Sequence, residues 1–274
     1  MSIAILLPGL LSKQPYHNIR WSCIPVEWNS IYQSFFNITL QADYYSGSTF
    51  RADIIRHTLY IYSRLKRFDL EDDAYLFSFS LSELACALRF DVIDFRTFLL
   101  LFIELENNLN KDKDQYFMCI VTGANRSTLN ENIGYFYPTF TSHKLSIYYI
   151  RAHESDYCCK ILDQLELPYT LSKIQYPFHS DLSPLIKNKL ITSITPITKK
   201  SLNYNLFNLK GVNLHESLLD VNEIFNCQIL FSKSIQSFSN IYEVSQNPQM
   251  IPLLKEVFPE LENVSQLGIL PINF

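Results

Sequence analysis

Apolar positions fall in short blocks whose spacing predicts alternating strands and helices. Ile3 to Leu7 is an unbroken apolar run closed by Pro8-Gly9, the pattern of a buried strand entering a turn. Ile54 to Leu65 carries apolar residues at helical spacing. Ala74 to Phe79 predicts a second buried strand, and the helix-forming stretch Leu81 to Leu88 follows it at once. Ser80 therefore falls where a strand turns directly into a helix. Phe95 to Leu109 predicts another apolar helix, which ends in the polar stretch Asn107 to Asp114.

The middle of the chain has a different texture. Phe117 to Val121, Leu145 to Ile150 and Tyr169 to Tyr176 read as strands. Asn125 to Ile133, with Ser127 as N-cap, and His153 to Leu165 read as helices. This alternation predicts a small ferredoxin-like α+β unit over residues 114–176, inserted into a larger unit made of residues 1–113 and 177–274. Beyond it, a helix is expected over Leu182 to Ser193, strands near Ile194 and over Ile241 to Val244, and a helix from about Pro248. The Asn- and Ser-rich stretch from Ser201 to Asn213 reads as a loop.

Composition narrows the function. Of 274 residues, 47% are hydrophobic and 18% charged, enough apolar material for a large core and against disorder. The net charge of -4, without a basic cluster beyond pairs such as Lys199-Lys200, argues against a nucleic-acid partner. The six cysteines form no C-x-x-C pair, so neither a zinc site nor a disulfide framework is expected, and reduced thiols in the cytoplasm are. The start, MSIAILLPGLLSKQ, lacks a basic leader and its apolar run is too short to span a bilayer. No membrane association is expected.

The strand-to-helix turn at Ser80 has the form of a nucleophile elbow. Such a turn demands small residues two before and two after the serine, and Ser78 and Ser82 meet that demand. It also sets the serine at a helix N-terminus, where backbone N–H groups can stabilise an oxyanion. The spacing by itself also fits an ordinary serine-rich strand end.

Five landmarks give a second line of reading. They are Leu7-Pro8-Gly9-Leu10-Leu11-Ser12, Ser78 to Glu83, Asp91 to Phe95, Pro177 to Leu182 and Tyr242 to Ser245. In order and spacing they resemble the FPGQGSQ, GHSLGE, GVLDF, AFHSPLM and YEVGPG segments of the malonyl-CoA:acyl-carrier-protein transacylase and polyketide synthase acyltransferase family. The resemblance implies an α/β fold: an α/β-hydrolase-like core with a central, mainly parallel sheet, plus the inserted ferredoxin-like unit. It implies Ser80 as nucleophile, His179 as base and the backbone N–H groups of Leu10 and Leu81 as oxyanion donors. It places Ser245 to Gln249 near His179. It also implies no bound cofactor, coenzyme A or phosphopantetheine thioesters as substrates, an acyl carrier protein as partner, and a monomer. His17, His57, His143, His153 and His215 lack such a context and read as surface or packing residues.

Three departures from the family pattern bear on substrate. Phe79 stands where the family has a histidine that lines the acyl pocket. Leu105 stands where malonyl-specific members carry an arginine for the substrate carboxylate, so malonyl is expected to be a poor substrate. Glycines of the first motif and the elbow are partly replaced. Arg51 is a candidate substitute for the missing charge, and Phe178 joins Phe79 and Leu105 as a candidate acyl-pocket residue. Three functions remain open from the sequence: acyl transfer to a carrier protein, hydrolytic clearing of acylated carrier proteins, and non-catalytic binding to a carrier protein or synthase.

Overall fold

Strand β1 (Ile3–Leu7) lies in the middle of a five-stranded sheet, a place that suits it because all five of its residues are apolar. The computed structural model describes residues 3–9, 19–45, 50–66, 74–109, 115–123, 129, 134–174, 177–182, 205–218, 224–225, 228–245, 249–263 and 266–269. After β1 come helices α1 (Val26–Phe36), α2 (Leu40–Tyr45) and α3 (Phe50–Leu65), strand β2 (Ala74–Ser78), and helices α4 (Leu81–Arg89) and α5 (Phe95–Leu109). The middle holds β3 (Tyr116–Thr122), β4 (Tyr137–Thr141), β5 (Leu145–Arg151), α6 (Ser155–Gln164) and β6 (Tyr169–Ile174). The last elements are β7 (Asn205–Asn208), α7 (Leu214–Ser217), β8 (Asn240–Glu243), α8 (Met250–Val257) and β9 (Gln266–Ile269).

The first sheet runs β7-β2-β1-β8-β9 with every pairing parallel. Alternation along β1 divides its side chains between two cores. Ile5 and Leu7 join the cluster that includes α1, α3, α4 and α5. Ala4 and Leu6 join Phe77, Met250 and Leu254 on the opposite side. The second sheet is antiparallel in the order β4-β5-β3-β6. Cys119 and Val121 of β3 pack with α6, while Met118 and Ile120 turn to the cluster shared with β1. The expected mixed α/β class, with a central parallel sheet and a separate smaller one, is what the chain adopts.

Local chemistry sets the ends of the helices that frame Ser80. Helix α4 stops because Asp91 takes a left-handed φ of 56°. The Val92 N–H then bonds the Ala87 carbonyl at 2.8 Å and the Asp91 N–H the Leu88 carbonyl at 3.4 Å, a Schellman ending. Asp94 starts α5 by accepting the Thr97 N–H at 2.6 Å.

The structure corrects some element assignments. The Ser201 to Asn213 stretch is not all loop: Asn205–Asn208 is a strand pairing in parallel with β2. Its asparagines are loop-forming by composition, but Leu206 and Phe207 extend the sheet that β2 presents. The small sheet has a further strand, β4, whose Pro138 is tolerated because β4 is an edge strand. Helices α1 and α2 and strand β9 were not evident from the pattern. The helix expected over Asn125 to Ile133 lies outside the described residues except Leu129, as do the helix expected beyond Leu182 and the strand near Ile194. Among the described residues no helix is long and apolar enough to cross a membrane.

Candidate active site

Two neighbouring strand ends build the centre. β1 and β2 are parallel with Leu7 opposite Ser78, so both chains leave the sheet at the same edge. The Phe79 N–H still bonds the Leu7 carbonyl at 3.1 Å. The chain then turns at Ser80, whose φ of 58° and ψ of -128° are strained for a residue with a β-carbon. Three bonds over-determine that conformation. The Ser80 N–H donates to Glu83 Oε1 at 3.2 Å, the Glu83 N–H to the Ser80 carbonyl at 2.8 Å, and the Ser82 N–H to the Phe79 carbonyl at 3.1 Å. The Leu81 N–H has no acceptor among the described residues. It is thus a backbone donor at the start of α4, next to Ser80.

The loop after β1 presses on this turn. A β-carbon added at Gly9 would lie 2.9 Å from Phe79 Cδ1 and 3.0 Å from Ser80 Cβ, so only glycine permits the approach. Leu10, the next residue and a candidate oxyanion donor, lies outside the described residues.

Serines two before and two after Ser80 are compatible with the tight turn. Neither Ser78 nor Ser82 has a positive φ, so the backbone there does not require glycine. Both hydroxyls are engaged. Ser78 Oγ donates to the Phe207 carbonyl at 3.1 Å, fastening β7. Ser82 Oγ donates to the Pro8 carbonyl and lies 3.1 Å from His57 Nε2. With the serine proton committed to Pro8, His57 is the donor to Ser82. His57 is fully buried on α3, a packing residue that also ties the elbow to the loop. A histidine on the buried face of a predicted helix was the one sequence signal for it.

His179 sits in the short turn around Pro177 to Leu182. Its φ is 67°, a second strained position, and it is 2% exposed. Its ring lies against Phe79, with centroids 4.3 Å apart and planes 33° apart. Its N–H donates to the Phe225 carbonyl at 2.5 Å. Thr139 of β4 donates to the carbonyls of His179 and Phe178, at 2.7 and 3.2 Å. Nothing in the run Tyr-Pro-Thr-Phe-Thr marked Thr139 as part of the site. Ser80 and His179 are thus both buried, both at positive φ, and linked through Phe79.

The candidate acyl-pocket residues have different immediate neighbours. Leu105 lines a small apolar cavity of about 10 Å³ with Ile54, Leu81, Leu84, Phe98 and Phe102. Phe79 packs instead on His179. Phe178 stacks on Phe50, at 6.0 Å, and lies tilted against Phe225, at 5.6 Å, itself a lining residue of that cavity. Arg51, in the first turn of α3, pairs through Nε with Asp43 Oδ2 at 2.8 Å and lies over the Phe36 ring. Burial works against the Arg51 charge, but the hydrogen bond and charge of Asp43 more than offset it and raise its pKa. Tyr32 donates to the same Asp43 oxygen. Burial, followed by the Asp43 hydrogen bond, pushes the Tyr32 phenol far above its ordinary range.

Glu243, at the end of β8, is fully buried and accepts the N–H groups of Gln249, Met250 and Ile251 at 2.8 to 3.1 Å. Burial raises its pKa, and these bonds oppose the rise. It fixes the start of α8 and with it the end of the Ser245 to Gln249 segment. Among the described residues no His, Cys, Asp and Glu group is arranged to hold a metal ion.

No protein-family model matches the sequence, and no characterised protein matches it at the sequence level. Solved structures do match the fold. The malonyl transacylase of Streptococcus pneumoniae is 12% identical with a TM-score of 0.67, over 98% of this chain and 96% of that one. A malonyl transacylase in complex with its type II polyketide synthase acyl-carrier protein is 12% identical, with a TM-score of 0.66 over 98% and 96%. The acyltransferase domain of the second module of the salinomycin polyketide synthase is 11% identical, with a TM-score of 0.66 over 100% of this chain and 70% of that one. At such identities the likeness establishes the fold, and the function has to be argued from the site.

Proposed function

We propose that this chain is a seryl acyltransferase, a divergent relative of the malonyl transacylases, that moves acyl groups between coenzyme A and an acyl carrier protein. The observation that carries this reading is Ser80 held at φ 58° on a strand-to-helix turn, beside a backbone N–H with no acceptor among the described residues and the His179–Phe79 stack.

In the proposed reaction His179 takes the Ser80 proton as Oγ attacks the thioester carbonyl. Negative charge develops on the carbonyl oxygen and is met by the Leu81 N–H, with Leu10 as the proposed second donor. The thiol leaves with the proton, and the acyl group remains on Ser80. A second thiol, the phosphopantetheine of a carrier protein, then takes the acyl group by the reverse of these steps. The thioester supplies all the activation, so no resident cofactor enters. The setting proposed is the cytoplasm, with the enzyme as a monomer.

The acyl group is proposed to be neutral. Leu105 lines an apolar cavity, and Arg51 is already paired with Asp43. A malonyl carboxylate directed at Leu105 would be buried without a counter-charge, a penalty of several kcal/mol.

The test is a transfer assay. Acetyl-, butyryl- and malonyl-coenzyme A are each incubated with the protein and an unloaded carrier protein, and the mass of the carrier protein is followed. Acetyl or butyryl transfer supports the reading. Release of free acid without transfer makes the protein a hydrolase, and no consumption of any donor leaves only a binding role.

A further inference from the structure

We infer that Thr139, the extra residue of a β-bulge in the small antiparallel sheet, is a positioning residue that sets the backbone from which His179 works. The inference rests on the reading of His179 as the base.

β4 pairs with β5 through Tyr137 with Tyr149 and Pro138 with Tyr148, skips Thr139, and resumes with Phe140 opposite Ile147. A bulge of this kind breaks the alternation of side chains and re-aims one of them. Here the re-aimed hydroxyl meets another segment of chain. Thr139 is 1% exposed, and its single proton is shared between the carbonyls of His179 and Phe178. Its own carbonyl accepts the Ile229 N–H at 2.7 Å, which fixes the bulge from the other side.

His179 needs such support. A φ of 67° is disfavoured for a residue with a β-carbon and persists only where the surroundings impose it. Its N–H is held by Phe225 and its carbonyl by Thr139, so both ends of the residue are pinned while Phe79 covers the ring. Phe225 belongs to the α3–α5 core, whereas Thr139 belongs to the small sheet. The imidazole is therefore oriented by the two parts of the molecule together, and a shift of the small sheet reaches the base through one hydroxyl.

Thr139→Val keeps the shape and removes the proton. Thr139→Ser keeps the proton, and Thr139→Cys leaves a weak donor. With the full chain, acetyl-coenzyme A and an unloaded carrier protein, Thr139→Val is expected to lower kcat for acyl transfer about tenfold, the weight of one positioning hydrogen bond, with KM unchanged. Thr139→Ser is expected within about twofold of the parent and Thr139→Cys in between. A parent-like kcat in Thr139→Val overturns the inference, and so does a Thr139→Ser protein as impaired as Thr139→Val. If Thr139→Val does not fold, Thr139→Ser and Thr139→Cys decide it by the same ordering. A second readout needs no turnover: the His179 Cε1–H resonance, assigned with a His179→Asn protein. It should move in Thr139→Val or Thr139→Cys and stay in Thr139→Ser, and an unmoved resonance in the proton-deficient variants overturns the inference. Failure of the parent protein to acylate from any donor counts against the acyl-enzyme reading instead, and leaves the resonance test in force.

Discussion

His57 Nε2 lies 3.1 Å from Ser82 Oγ, and Ser82 donates onward to the Pro8 carbonyl. A buried imidazole on α3 thus joins the helix that follows Ser80 to the loop that follows β1. Ser82, two residues after Ser80, is the link between them.

Stability should fall in mild acid because of this histidine. Burial pushes the His57 pKa from 6.5 down to about 4, the Pro8 carbonyl working weakly the other way. Between those values the unfolded chain binds a proton that the folded chain refuses. The native state is therefore penalised as pH drops below 6.5, and the penalty is complete below pH 4. From pH 7 to pH 5 the expected loss is about 2 kcal/mol. Urea denaturation at the two pH values measures it, and His57→Gln should remove that part of the loss. An equal pH dependence in the two proteins would mean that His57 takes up its proton as readily in the fold as in the unfolded chain.

Ser80 pairs strain with its proposed chemistry. Glycine relieves a positive φ and alanine does not, so Ser80→Gly should be more stable than Ser80→Ala by about 1 kcal/mol. Chemical denaturation of the two variants gives the difference directly. Equal stabilities would show that the turn carries no strain.

Acyl selectivity should follow charge. Malonyl-coenzyme A is expected to acylate Ser80 at least about 100-fold more slowly than acetyl-coenzyme A, the rate equivalent of an unpaired buried carboxylate. A competition experiment with both donors, read by protein mass, gives the ratio. Malonyl acylation as fast as acetyl would require a cation that reaches the substrate.

Much of the parallel core was legible because its signals are local. Ile3–Leu7 and Phe95–Leu109 follow the apolar pattern to the residue, and the adjacency of β2 and α4 gave Ser80 its place. Long-range effects were hidden. β7 exists because β2 offers an unpaired edge to four residues of loop-like composition. The sequence marks Ser82 only as small, yet its hydroxyl bridges Pro8 and His57. Thr139 reaches His179 across forty residues through a bulge, and no spacing rule announces a bulge. The candidate acyl-pocket residues rest on the family resemblance, and no local spacing shows that Phe79 packs on His179 while Leu105 lines an apolar cavity.

The central claim is that Ser80 becomes acylated. The measurement is the intact mass of the protein after brief exposure to acetyl-coenzyme A, with the modified peptide mapped. One acetyl adduct on the peptide carrying Ser80, absent from Ser80→Ala and strongly reduced in His179→Ala, is the predicted result. An adduct that persists in a folded Ser80→Ala protein, or no adduct from any acyl donor in the parent, would contradict it.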